Sequence, residues 1–357
     1  MFTSGSTGTP KGIVHCHSSG QAYARMTESL FKITHLDSIA NHAPLHFDIC
    51  TLGYFTMPRA GATTVIIPEP HTRMPASMAK LVADEKITIW YSVPFALIQL
   101  LSRGALDQFD FSSLRMVQYG GEPFSPRQVR ALMDIWSDAE FYNIYGPAET
   151  NQCMWYQVPE DDTGEGASTP IGHVMSETNV RIVDEDDSLV STNDVGELQV
   201  HSTSMMLGYW KNDQLNDSSF FVNEKKWYRT GDLVSLDSEG LYHYHGRKDR
   251  RVKIRGNRIE LDEIESAACG FQHVEEAAAY VLEAGSEKEY IELAVLANKK
   301  DGAEFKEELR EFIRGILPKF AVPDSIWFCQ EFVRTTSGKI DRNKMRESRD
   351  SQHSNHR

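Results

Sequence analysis

Along the first 177 residues, apolar positions recur in two alternating rhythms. Short apolar or β-branched runs at 62–68 (ATTVIIP), 88–93 (TIWYSV), 116–120 (MVQYG) and 139–145 read as strands, the first of them as a buried one. Between them, residues 20–30 and 74–86 carry the spacing of amphipathic helices. Ser125-Pro126 is a helix start, an N-cap followed by proline at the first helical position, and leads a helix to about Trp136. Strands alternating with helices of this length predict an α/β fold built on a parallel sheet, whose ligands sit at the C-terminal ends of the strands. From about Arg181 the pattern changes to short strands with turn signals (VRIVD, GELQVHS, YRTGDLVSL, GLYHYHGR), which predicts an antiparallel, β-barrel-like subdomain over 178–249. After Asp249 the chain reads as a small α+β domain over 250–345, with helices at 261–268 and 304–316, the second ended by Pro318. The boundary is placed in the charge-rich stretch 247–251, and the polar tail 346–357 is expected to be disordered.

Charge and composition narrow the partners. A net charge of −14 over 357 residues and a pI near 5.4 argue against a nucleic-acid partner, because a phosphate backbone needs a basic face. No apolar run approaches membrane-spanning length and the N-terminus lacks a signal pattern, so no membrane partner and a cytoplasmic location are expected. The five cysteines are scattered without a CxxC pair and read as reduced thiols. His15-Cys16-His17 is not read as a metal site, since adjacent side chains diverge and no second cluster of ligands exists.

The chemistry is concentrated at residues 2–12, FTSGSTGTPKG. Glycines let backbone N–H groups converge on an anion, while hydroxyls and Lys11 complete the cradle, which is the composition of a phosphate loop. A Walker A loop is excluded, because Gly12 stands where Ser or Thr must follow the lysine. The helix at 20–30 would then set an anion site at a helix N-terminus. A flexible Ser/Gly linker has the same composition, and only the order of the residues separates the two.

That order resembles the AMP-forming adenylating superfamily of acyl-CoA ligases, luciferase-like enzymes and adenylation domains that load amino acids on carrier proteins. Further motifs follow in the family's order: FDIC (47–50), NIYGPAET (143–150), GEL and LGYW (196–210), YRTGDL (228–233), GRKDRRVKIRGNRIELDEIE (246–265), LPKFAVP (317–323) and TSGKIDR (336–342). The resemblance implies attack of a carboxylate on the α-phosphorus of ATP, giving an acyl-adenylate and pyrophosphate. It assigns Thr3, Ser4, Gly5, Ser6, Thr7, Gly8 and Lys11 to the phosphates, and Gly121, Glu122, Asn143, Tyr145, Gly146, Thr150, Asp232, Tyr244 and Arg247 to the nucleotide. Tyr145 would stack on adenine, and Asp232 would accept the ribose hydroxyls. Lys339 would bridge the carboxylate and the ribose-phosphate, Glu149 would hold Mg2+, and Asp249 would be the hinge of a C-terminal domain that rotates between two half-reactions. Position 148 is Ala where many members have a phosphate-contacting Thr, which leaves Thr150 as the nearest hydroxyl.

For the substrate, Asp48 after Phe47 resembles the aspartate of amino-acid-activating members that pairs with the α-ammonium; an Asp capping a following helix is the plainer reading. Aligned by the motifs, the other pocket positions fall at Ile49, Leu52, Tyr91, Gln118, Gly120, Ile144, Gln152 and Cys153. The set is most similar to stand-alone ligases that load proline or another small amino acid, D-alanine included, onto a phosphopantetheinylated carrier protein. Gln118 and Gln152 depart from that pattern and would suit a polar side chain, for which Gly120 would leave space. Family members carry a large portion before the phosphate loop, where this chain begins, so the core is expected to be incomplete at its N-terminus. An acyl-CoA ligase for an acid without an amine, and a truncated, inactive adenylate-binding protein, remain open at this level.

Overall fold

The computed structural model describes the chain except residues 4–10, 46, 123, 162–163, 165–167, 255–256, 283–289, 299–301, 336–337, 343 and 347–357; at 2–3, 249, 251, 253–254, 257–258 and 260 only the backbone is described. It divides into two compact units. The first comprises Met1–Phe124, Gln128–Thr163 and Thr169–Tyr244, and the second comprises Ser125–Arg127, Gly164–Ser168 and His245–Arg357. Among the described residues no helix is long and apolar enough to cross a membrane.

The first unit opens with two short antiparallel strands, β1 (Phe2–Thr3) and β2 (Lys11–Val14). Strand β2 follows the glycine-rich run, and the helix expected after the loop begins three residues earlier than predicted, as His17–Leu30. The chain then lays down β3 (Ser38–Asn41), β4 (Thr63–Ile66), β5 (Ile89–Ser92), β6 (Met116–Gly120), β7 (Glu140–Tyr145), β8 (Met154–Gln157) and β9 (His173–Val174). These form one seven-stranded sheet in the order β4-β3-β5-β6-β7-β8-β9, parallel through β7 and antiparallel beyond it.

Alternate residues of the central strands feed two different cores. Trp90, Val117 and Phe141 pack with the apolar sides of helices Pro75–Asp84, Pro94–Arg103 and Pro126–Ile135. Ile89, Met116, Tyr142 and Ile144 face the other way, onto helix His17–Leu30, Leu52 and Met57. Burial on both faces is why these strands read as continuous apolar runs. The stretch read as a buried strand at 62–68 is instead the edge strand β4, with Ile66 exposed, because only β3 pairs with it. Helix Pro94–Arg103 escaped the sequence reading; its proline occupies the first turn, where no N–H is missed.

The antiparallel part consists of β10 (Thr178–Val183), β11 (Gly196–Ser202), β12 (Gly208–Tyr209), β13 (Phe220–Val222), β14 (Lys226–Leu236) and β15 (Tyr242–Arg247). The expected barrel-like subdomain takes the form of a five-stranded sheet in which the long β14 pairs with β11, β13 and β15. β12 leaves it to pair with β2, Tyr209 opposite Ile13.

The second unit holds the hairpin β16 (Arg251–Ile254) and β17 (Asn257–Glu260), then β18 (Val274–Leu282), β19 (Tyr290–Ala297) and β20 (Ser325–Phe328) in one sheet. Helix Ala303–Ile316 buries Phe305, Leu309 and Ile313, one residue per turn, against this sheet, and helix Leu261–Cys269 adds Ile264 and Ala268. Glu265 sits within this packing and accepts hydrogen bonds from Arg250 Nη2 (2.7 Å), Arg342 Nε (2.8 Å) and the Ala279 amide (2.7 Å). Burial alone would push its carboxyl up; the guanidinium groups of Arg342 and Arg250 outweigh that and hold it below the usual glutamate range.

A group depressed in this way stabilises the fold above its unfolded pKa, and that contribution is lost as pH falls through the folded value. Glu265→Gln is expected to destabilise the protein by about 3 kcal/mol at pH 7, because Arg342 loses its carboxylate and Arg250 keeps only Asp262 as a charge partner. The gap between wild-type and variant unfolding midpoints should shrink as pH is lowered through the carboxyl range. A gap that stays constant from neutral to acid pH would rule the account out.

Candidate functional site

Sheet register brings several sequence candidates to one place. Tyr91 of β5 stands opposite Gln118 of β6, and Gly120 of β6 stands opposite Ile144 of β7. All four lie on the face that carries Ile89 and Met116, at the C-terminal ends of parallel strands. Leu52, fully buried, belongs to the same cluster. At Gly120 an added Cβ would lie 2.2 Å from the Ile144 carbonyl oxygen, so the glycine is required by the close approach of β7 and not by room for a ligand. Gly121, directly after β6, has φ of 90°, a conformation that L side chains rarely adopt. Glu122 follows it, half-buried.

Asp48 opens a single 3-10 turn, Asp48–Cys50, where Ile49 N–H donates to its Oδ1 (2.9 Å) and Thr51 Oγ1 donates to its carbonyl (2.6 Å). The carboxylate is half-buried, and its charge reaches three tyrosines. Burial first and then Asp48 raise the phenol of Tyr91; burial, Cys50 and Asp48 push Tyr54 up to about 12; and Tyr23, fully buried, is raised by burial, by Tyr91 and by Asp48. The Gln152 amide lies beside the Tyr91 hydroxyl but outside hydrogen-bonding geometry. Cys153 is fully buried, and burial pushes its thiol up to about 12, so it acts as an apolar wall.

The second group of candidates lies on β7, the loop after it, and the antiparallel sheet. Tyr145 donates to Asp232 Oδ2 at 2.5 Å, and Tyr244 lies 6.4 Å from the Tyr145 ring centre. Asn143 Nδ2 is held by the Pro170 carbonyl (2.8 Å). Gly146 admits no side chain, since a Cβ would lie 1.9 Å from the Asn151 carbonyl oxygen. Thr150 Oγ1 donates to the Pro147 and Asn151 carbonyls, so in this arrangement its hydroxyl braces the loop.

Glu149 is buried and accepts a 2.6 Å hydrogen bond from the Tyr209 hydroxyl, which also contacts the Tyr228 hydroxyl at 3.2 Å. Lys11, at the end of the glycine-rich run, places its ammonium 5.8 Å from the Tyr209 ring centre. One carboxylate with one oxygen engaged suits a hard divalent cation whose remaining ligands are phosphate oxygens and water. No cluster of three or more acidic, histidine or cysteine ligands occurs among the described residues.

A cleft of about 500 Å3 opens beside β2, bordered by Gly12, His15, Thr51, Tyr54, Asn151 and Trp210. It touches both the turn that carries Asp48 and the strand that follows the glycine-rich run. His15 Nε2 donates to the Ala148 carbonyl (3.1 Å), and burial lowers its imidazole pKa. His42, just past β3, stacks on Trp90 at 5.0 Å, and burial lowers it to about 4, so it is neutral at physiological pH.

Of the remaining candidates, Ser4, Gly5, Ser6, Thr7 and Gly8 lie outside the described residues, as does the side chain of Thr3. In the second unit, Lys339 is exposed near the tip of a hairpin closed by the Arg334–Ile340 bridge and the Thr335 N–H to Lys339 carbonyl bond (2.8 Å), with Gly338 at φ of 89°. Arg247 N–H donates to Asp262 Oδ2 (3.0 Å), and Asp249 falls in the turn Lys248–Arg250. Tyr209, Tyr228, Tyr23 and Asn151 were not singled out from sequence. Tyr209 and Tyr228 do stand inside quoted motifs, LGYW and YRTGDL, and a buried tyrosine needs a polar partner, which is the signal that could have found them.

The parallel sheet with polar groups gathered at its strand ends, joined to an antiparallel sheet that supplies Asp232 and a short β1-β2-β12 sheet that supplies Tyr209, has the arrangement of a ligand-binding α/β fold. Two family descriptions match the chain, AMP-binding enzyme over residues 1–210 and AMP-binding enzyme C-terminal domain over residues 263–339. The chain belongs to the AMP-binding enzyme family. It is 32% identical over 342 residues to an L-proline–[L-prolyl-carrier protein] ligase from Pseudomonas fluorescens, and 33% identical over 345 residues to one from Streptomyces coelicolor, each match covering 96% of this chain. The chain spans 66% and 64% of the length of those relatives. Among solved structures, an amide bond synthetase from Marinactinospora thermotolerans superposes with a TM-score of 0.84 at 26% identity, over 97% of this chain and 68% of that one. A four-domain nonribosomal peptide synthetase bound to AMP and glycine superposes with a TM-score of 0.80 at 25% identity, over 96% of this chain and 25% of that one.

Proposed function

We propose that the protein joins the carboxylate of an amino acid to ATP, releasing pyrophosphate, and passes the aminoacyl group from the adenylate to the phosphopantetheine thiol of a carrier protein. The observation that carries this reading is the placement of Asp48 beside Tyr91 at the strand ends, in the same unit as the Lys11, Tyr209 and Glu149 cluster. An acidic group is thereby set to pair with an α-ammonium, and a lysine and a carboxylate are set for the triphosphate. Glu149 would hold Mg2+, which neutralises phosphate charge when bound. Tyr145, Asn143 and Tyr244 would receive the adenine side of the nucleotide, and Asp232 and Arg247 the ribose. Lys339 would supply positive charge between the two reacting anions, and Asp249 would be the pivot that exchanges the half-reactions. The names of the two carrier-protein ligases support proline, with another small amino acid such as D-alanine still within the reading, and a cytoplasmic setting accords with it.

The test is amino-acid-dependent exchange of labelled pyrophosphate into ATP, run on this chain and on a version extended upstream in its reading frame, with the twenty amino acids and D-alanine. Exchange with one or a few amino acids is the expected result. Exchange with a simple carboxylate and with no amino acid would replace the reading by an acyl-CoA ligase.

A further inference from the structure

We infer that Arg334 is a positioning residue for adenylate formation, which fixes the direction in which Lys339 leaves its hairpin, with Glu276 of β18 as the anchor. The inference rests on the adenylation reading above and on the part given there to Lys339. Arg334 forms one side of the hairpin bridge, opposite Ile340. Its guanidinium divides between two acceptors: Nη1 donates to the Gly338 carbonyl at 2.9 Å, and Nη2 donates to Glu276 Oε2 at 2.5 Å. The two side chains are only 14% and 12% exposed, so the ion pair lies largely out of water.

The Gly338 carbonyl belongs to the same planar peptide as the Lys339 N–H, so holding the oxygen holds the plane from which the lysine departs. On the other side of Lys339, its own carbonyl accepts from Thr335 N–H at 2.8 Å. Both peptides that flank the lysine Cα are thus tied, the second by a hairpin bond and the first by the Arg334 side chain. Gly338, at φ of 89°, has no Cβ to limit how that first peptide swings, so a tie there has the most to restrain.

Glu276 gives the tie a rigid base. It lies in β18, where Ala277, Ala278 and Ala279 are buried against the second unit's core and the strand pairs along its length with β19. Val333 and Ile340 pack with Phe332 and Met345 in an apolar cluster, so packing holds the base of the hairpin and Arg334 holds its tip. The planar fork of an arginine serves a carbonyl and a carboxylate at once, which the point charge of a lysine does not. A largely buried ion pair seldom stabilises a fold more than an apolar pair of the same volume. Its presence here therefore points to geometry, and the geometry it sets is that of the peptide before Lys339.

The experiment measures the two half-reactions separately, with the amino acid that supports the fastest exchange in the wild type. Pyrophosphate exchange reports adenylate formation, and transfer from a chemically supplied aminoacyl-adenylate to a carrier thiol reports the second step. The proteins are the wild-type chain, Arg334→Gln, the paired substitution Arg334→Leu with Glu276→Leu, Lys339→Ala, and Lys339→Ala with Arg334→Gln. Arg334→Gln is expected to lower kcat for exchange by about 10- to 100-fold, the cost of misplacing a reacting group by about an ångström, with both KM values and the transfer rate close to wild type. It should also melt below wild type, because Glu276 is left without a cation; the paired substitution removes both charges and should recover most of that loss, yet adenylate as slowly as Arg334→Gln. In the Lys339→Ala background, Arg334→Gln should cost less than about a further twofold, because the tie has nothing left to aim. Wild-type exchange by the paired substitution, equal losses in both half-reactions, wild-type exchange by Lys339→Ala, or a further loss of about tenfold or more on top of Lys339→Ala would each overturn the inference and leave adenylation standing. Absence of exchange by the wild type with every amino acid would overturn the adenylation reading, and this inference with it.

Discussion

Asp48→Ala is expected to reduce amino-acid-dependent pyrophosphate exchange by about 1,000-fold in kcat/KM, because a desolvated ammonium left without its carboxylate costs several kcal/mol. Asp48→Asn keeps the turn, since an amide oxygen can still accept from Ile49 N–H, and should lose nearly as much through loss of charge alone. The defect should appear chiefly as a raised KM for the amino acid with the KM for ATP little changed, and the melting temperature should stay close to wild type. If Asp48→Ala exchanges at the wild-type rate, the carboxylate serves only its own 3-10 turn and the substrate needs no amine.

Lys339→Ala is expected to slow adenylate formation by about 100- to 1,000-fold, the range seen when a single preorganised positive or donor group is withdrawn from a developing charge. The residue is exposed and the hairpin that presents it is closed by backbone bonds, so the variant should fold as the wild type does. A chemically supplied aminoacyl-adenylate should still be transferred to a carrier thiol at a near wild-type rate, because the lysine is assigned to the first half-reaction alone. Equal losses in both half-reactions would refute that division of labour, and no loss in the first would remove Lys339 from the chemistry.

Much of the architecture was readable along the chain because its signals are local. The strand at 116–120 has the bounds its apolar run predicted, since both of its faces are buried and every residue in it is selected for that. Helix Pro126–Ile135 begins at its proline, where the cap and the missing N–H agree on a start. The edge strand β4 was misjudged for the same physical reason in reverse: Thr63 and Ile66 are exposed, yet ATTVI is the composition of an interior strand. Strand β2, between the glycine-rich run and helix His17–Leu30, escaped the reading because four residues of strand carry too little pattern to be seen.

By itself the sequence determined the family, the order of elements and most of the residues now gathered at the site, because those depend on spacing within a few turns of chain. Only the tertiary structure decided which of them meet. The Tyr209 hydroxyl reaches Glu149 from 60 positions away and Tyr145 reaches Asp232 across 87, pairings that depend on β12 joining β2 and on the antiparallel sheet lying beside the end of β7.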